Sequence, residues 1–156
     1  MKRNVFVRWV IALISPLLLT GCLWGATLDV DDAVTRDMRS AGKVLAETKT
    51  EAVFDSTTVV TRIVIADVGS SNAESALLEA TRRLQARGWK VSDRRPAQWV
   101  EMTANGWPDI QISIFSPSFF VSSGKPEPQV EKALQTARGK DASENFVILD
   151  AHRIDG

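Results

Sequence analysis

The sequence predicts an α+β fold: a mainly antiparallel sheet with helices on one face. Three observations carry this expectation. Thr57–Asp67 is rich in β-branched residues, and Asp109–Phe115 alternates apolar and polar side chains. Ala73–Leu84 and Val130–Ala137 repeat apolar residues at helical spacing. Asn105-Gly106 marks a hairpin turn between two extended runs.

In chain order, Val30, Ala33, Val34, Met38, Ala41 and Leu45 share one helix face and predict an N-terminal helix. Asp29, Asp31 and Asp32 gather at its start, where negative charge suits the helix dipole. They lack the register and mid-loop glycine of a calcium loop, so capping is the expected role. Thr57–Asp67 is apolar on both sides apart from Arg62, which predicts a central strand; Glu51–Ser56 reads as its partner or as a loop. Ser71 and Glu74 have capping-box spacing ahead of the helix carrying Ala73, Ala76, Leu77, Ala80 and Leu84, and Gly88 stops that helix.

Trp89–Ser92 resumes extended chain, Asp93–Pro96 reads as a turn, and Ala97–Thr103 as the next strand. Beyond the Asn-Gly turn, Ile110, Ile112 and Ile114 alternate with Gln111 and Ser113, as in a strand with one wet face. Residues 116–128 form the longest irregular stretch. There Phe119 and Phe120 are candidates for contact with a partner or membrane, or else plug an open edge of the core. A last helix with Val130, Ala133, Leu134 and Ala137, a polar loop and a strand Phe146–Leu149 follow, and residues 152–156 read as a frayed end. Without its first helix, this order resembles a split β-α-β arrangement of the ferredoxin-like kind with an extra hairpin strand.

The first 22 residues are of another kind. Lys2, Arg3 and Arg8 precede an apolar run, Trp9–Leu19, of 11 residues. A bilayer-spanning helix needs about 20, so the run fits the core of a secretory signal. Leu19-Thr20-Gly21-Cys22 then resembles the lipobox of bacterial lipoproteins: an aliphatic residue, two small residues and cysteine. That resemblance implies cleavage before Cys22 and a thioether-linked diacylglycerol on its sulfur, with an N-acyl chain as an optional addition. It divides the chain into a signal peptide (1–21), a lipidated cysteine with short tether (22–28) and one extracytoplasmic domain (29–156). It also implies a cell-envelope location, with the membrane itself as a partner.

Removal of 21 residues from 156 leaves 135, ample for one domain. The whole chain carries 19 basic and 19 acidic residues; three basic ones lie in the signal, leaving a mildly acidic remainder. Such a charge predicts no nucleic-acid partner. Cys22 is the single cysteine, so thiol catalysis, disulfides and cysteine metal sites are not expected beyond it. His152 is the single histidine, and no G-x-S-x-G elbow is present. No catalytic, cofactor or metal residue is therefore expected. The expected function is a non-enzymatic binding or accessory module for an envelope protein or polymer. The alternatives are a small hydrolase with paired carboxylates, or a structural or signalling partner of a membrane complex.

Besides Cys22, the candidate contact residues are Trp24, Phe119, Phe120, Arg83 and Arg87. Trp24 lies two residues past the lipidated cysteine, where an indole suits the headgroup level. Arg82, Arg83, Arg87, Arg94 and Arg95 form a candidate basic edge for anionic lipid or an acidic polymer.

Overall fold

The structure, a computed structural model, describes residues 25–140 and 145–154. In order it contains β1 (Thr27–Leu28), α1 (Asp32–Arg39), β2 (Lys43–Phe54), β3 (Thr57–Asp67) and α2 (Ala73–Gln85). There follow β4 (Lys90–Arg95), β5 (Trp99–Ala104), β6 (Trp107–Phe115), α3 (Pro117–Ser122), α4 (Pro128–Lys140) and β7 (Val147–Arg153). The strands form one sheet in the order β2-β3-β7-β6-β5-β4. The short β1 pairs parallel to the start of β3; every other pairing is antiparallel. The α+β class and the mainly antiparallel sheet are thus as the sequence predicts.

The finer arrangement differs. Helices cover both faces, not one. Val64 and Ala66 of β3 and Val147, Leu149 and Ala151 of β7 join a core with Val34 and Met38 of α1 and Ala76, Leu77, Ala80 and Leu84 of α2. Their strand neighbours Ile63, Ile65 and Ile148 point the opposite way and meet Val130, Ala133, Leu134 and Ala137 of α4, together with Phe146. A strand alternates sides at every residue, so two strands apolar on both sides need a helix layer above and below.

The same chemistry moves the last strand inward. β7 inserts between β3 and β6, and the parallel pair β3 and β4, joined through α2, is separated by β7, β6 and β5. This is a wider split than the ferredoxin-like arrangement that the element order suggested. β7 also continues through Arg153, where a frayed end was expected, because its backbone pairs with β6 as far as Ile110.

The N-terminal helix is shorter than its stripe. It ends at Arg39, and Leu45 lies on β2. Asp31 is its N-cap and accepts from Ala33 N at 2.7 Å, whereas Asp29 pairs with Arg62 of β3, whose Nε donates at 2.8 Å. Gly42 carries the chain from α1 into β2 so close to β3 that a Cβ there would lie 2.3 Å from Asp67 O. β2 and β3 then form a long hairpin closed by Asp55 and Ser56, both at positive φ (43° and 72°), as a two-residue hairpin loop of the I′ kind requires.

Three local boundaries also shift. The cap of α2 is Asn72, which accepts from Ser75 N, and not Ser71. β4 runs on through Asp93–Arg95, with the turn at Pro96-Ala97, where Ala97 has φ 58°. Residues 117–122, expected as irregular chain, form α3 with Pro117 in its first turn, a position where the missing N–H costs nothing. No described helix is long and apolar enough to cross a bilayer.

Candidate functional site

Three surfaces of the described domain combine exposure with chemistry. The first is a groove between α2 and the β4–β5 hairpin. Leu77 and Val100 belong to the core beneath it, Leu78 stands 57% exposed on its helix wall, and Arg94 and Arg95 rim the strand side. Its volume is about 260 Å³. The left-handed Ala97 turns the hairpin along this groove, and Gln98 N donates to Arg95 O at 3.0 Å to close the turn. Arg94 and Arg95 make no ion pair among the described residues. Glu74, at the start of α2, lines the same groove.

The other candidate arginines are engaged within the fold. Arg83 Nε donates to Glu79 at 2.7 Å, and its remaining nitrogens donate to Ala41 O at 2.8 Å and Val68 O at 3.1 Å. It therefore ties α2 to the end of α1 and the end of β3. Arg82 also pairs with Glu79, and Arg82 and Arg83 together hold the Glu79 carboxyl down at about 2. Arg87 lies 4.0 Å from Asp37, whose other oxygen accepts from Trp89 Nε1 at 3.0 Å.

The second is a polar row on the α4 side of the sheet. Strand pairing aligns Glu101, Ser113 and Asp150 in one row across β5, β6 and β7, with Gln111 opposite His152 in the next. His152 Nδ1 is 3.7 Å from Asp150 Oδ1. The Asp150 carboxylate raises the imidazole pKa above its usual 6.5; partial burial opposes this, and Glu101 adds to it. This cluster is not apparent in the sequence, where His152 falls beyond the last expected strand. Its only signal was the i, i+2 spacing of Asp150 and His152, which puts both on one side of a strand.

A Ser-His-Asp relay would need the serine hydroxyl on the imidazole. Here Ser113 Oγ has Gln111 Nε2 as its hydrogen-bond donor, at 3.4 Å. Ser-x-x-Lys spacing occurs twice, at Ser40–Lys43 and Ser122–Lys125. In both, the hydroxyl donates to a helix carbonyl instead, Ser40 to Asp37 and Ser122 to Phe119. Among the described residues no group of three or more acidic, His or Cys side chains converges as metal ligands.

The third surface lies where the chain enters the fold. Ala26 O accepts from Thr58 N at 2.7 Å, and Thr27 and Leu28 pair with Thr58 and Val59. Residues assigned to the tether thus belong to the sheet. Gly25 lies against the β2–β3 turn, where a Cβ would come 2.4 Å from Ser56 O. Beside this entry Val53, Phe54 and Ile154 are 70%, 63% and 50% exposed. Phe54, Val59 and Ile154 border a hollow of about 430 Å³ that reaches His152.

Cys22 and Trp24 lie outside the described residues. Phe119 and Phe120 are described and half-buried. Their rings meet Phe115 at centroid distances of 6.2 and 5.6 Å, and Phe120 packs against the core under α4. That core includes Ile65, seven residues along β3 from Thr58 and so roughly 23 Å from the chain entry. These phenylalanines are at the other end of the central strand from Gly25.

No protein-family model, characterised protein or solved structure shows significant similarity to this chain.

Proposed function

We propose that the chain is a bacterial envelope lipoprotein, held on the extracytoplasmic side of a membrane by a diacylglycerol thioether on Cys22. Its domain acts as a non-enzymatic binding or accessory module for an envelope protein or polymer. The observation that carries this reading is Leu19-Thr20-Gly21-Cys22, directly after an apolar run too short to span a bilayer. The early start of the sheet supports it. Cys22 is three residues from Gly25, so its Cα lies within about 11 Å of a residue already seated on the domain. The lipid would hold the domain against the membrane without a stalk.

The α2–β4 groove supports the binding half of the proposal. It joins an apolar floor to two arginines without an ion pair among the described residues and one carboxylate, Glu74, a net positive lining suited to an acidic partner. Four strand spacings, about 19 Å, separate β4 from β3 and the chain entry, which leaves the groove accessible on an anchored domain. Glu101 and Asp150 are the pair that a carboxylate hydrolase would recruit. They flank the buried Ser113 in one row across three strands, and the hollow beside His152 is lined by neither.

The anchor is tested with Cys22→Ser, which should leave the membrane fraction; a variant still firmly attached would sink the lipoprotein reading. A photo-crosslinker at position 78 tests the groove. It should capture an envelope component in the wild-type background and lose it with Arg94→Glu and Arg95→Glu together. Crosslinking indifferent to both charges would refute the groove.

A further inference from the structure

We infer that the β2–β3 hairpin tip, with Ile154 beside it, is a membrane-contact element that seats in the interfacial layer of the bilayer carrying the lipid. The inference rests on the proposed Cys22 anchor and adds to it a second, non-covalent contact. Its occupant is the lipid surface.

Four observations lead there. Val53 and Phe54 are the most exposed large apolar side chains among the described residues. They pair with Thr58 and Thr57 at the tip of the β2–β3 hairpin, where β1 adds a third strand only beyond β3, and as consecutive strand residues they project to opposite sides. A protein docked on one side would leave the other in water, whereas a medium that surrounds the tip covers both. Next, Gly25 is seated against Ser56 of the same turn, so the Cα of the lipidated cysteine lies within about 11 Å of a residue that touches the tip. Two acyl chains entering the bilayer there would bring the tip to the same surface. Finally, Ile154 borders the hollow on one side of Phe54 and extends the apolar area toward the end of β7.

Asp55 sets the depth. It is exposed in the turn itself, beside Phe54. A carboxylate is strongly disfavoured in hydrocarbon, so the tip reaches the headgroup and upper acyl region and stops there. Of the charged residues lining the hollow, Arg153 pairs with Asp109, His152 lies 3.7 Å from Asp150, and Asp55 has no ion pair among the described residues, so no free arginine or lysine faces it. The contact is therefore apolar in origin, not a headgroup clamp. Phe119 and Phe120, at the other end of β3, have no part in it.

The test uses the full chain, lipidated in a bacterial host and reconstituted into phosphatidylethanolamine–phosphatidylglycerol vesicles. With Cys22 capped by lipid, Phe54→Cys, Val53→Cys and Leu78→Cys each introduce the one free thiol for an environment-sensitive fluorophore. On reconstitution the labels at 53 and 54 should both shift to the blue and become shielded from an aqueous quencher, and the label at 78 should do neither. Asp55→Asn should increase the shielding at 54. Labels at 53 and 54 as exposed as that at 78, on protein that floats with the vesicles, overturn the inference. Shielding of one side alone, or shielding already present in detergent-free solution through cover by Leu23 or Trp24, also overturns it. Failure of the anchor reads differently: the protein does not float, and Cys22 takes up label as a second thiol.

Discussion

Gly42→Ala should destabilise the domain severely, because the residue stands where two backbones nearly touch. The new Cβ would meet Asp67 O at 2.3 Å, Asp67 C at 2.9 Å and Val68 Cγ1 at 3.1 Å. The first distance is about 1 Å short of ordinary contact, and the obstacle is backbone of the central strand, which cannot rotate away as a side chain can. Relief requires β2 to move off β3 where Lys43 pairs with Asp67. Overpacking of this kind costs about 1–3 kcal/mol, and a backbone obstacle argues for the upper figure. For a domain of this size about 3 kcal/mol lowers Tm by roughly 10 °C. It also moves the urea midpoint by roughly 2 M at an m-value of about 1.5 kcal/mol/M. Urea unfolding followed by tryptophan emission, to which Trp89 at 2% exposure contributes a buried reporter, measures the change. Gly106→Ala is the control: nothing lies within 4 Å of its Cβ and its φ is not positive, so stability should stay within about 0.5 kcal/mol. A Gly42→Ala protein as stable as that control would refute the close approach of β2 to β3.

The second helix layer is tested by Phe146→Ala. Phe146 is fully buried beneath α4, and its truncation should cost about 3–5 kcal/mol by urea unfolding; a cost below about 1 kcal/mol would mean that α4 does not cover that face. Arg83→Ala should cost about 1–2 kcal/mol, since it removes bonds to Ala41 O and Val68 O, and Arg82→Ala should cost clearly less; equal losses would argue against the Arg83 tie. His152, the single histidine, should titrate above 6.5 by NMR and fall back toward it in Asp150→Asn. Because its folded pKa is the raised one, its contribution to stability is complete below about pH 6.5 and fades as pH rises through the folded value, so stability gained across that range would contradict the pairing.

The elements were largely legible where burial pattern and period agree. The α4 stripe Val130, Ala133, Leu134 and Ala137 is the buried set of that helix, and Ile110, Ile112 and Ile114 all face the first core. β2 was obscure. Lys43–Phe54 contains Ala, Glu and Lys at the edge of the sheet, where one face and one row of backbone groups remain in water, so its composition is not that of a buried strand. Ala41 and Leu45 continued the spacing of the α1 stripe although they lie in a turn and a strand, because burial on either element selects the same residue types. The Asp150–His152 cluster was hidden for a related reason. Polar residues near a chain end suggest solvent, until pairing with β6 extends the strand over them.

Covalent order and local pattern are enough for the α+β class, the helix stripes and the hairpin after Ala104, and they place Leu19-Thr20-Gly21-Cys22 after a short apolar run. Which strands lie at the centre, and which surfaces stay free, depends on long-range packing. Apolar residues on both faces of a strand state that two layers must cover it, but not which helix takes which side; α1 and α2 share one face and α4 takes the other. Nor does spacing along the chain reveal that Gly25 rests on the turn at Ser56, thirty-one residues later, beside Val53 and Phe54. That juxtaposition follows from the parallel pairing of β1 with β3, a long-range contact that no local propensity encodes.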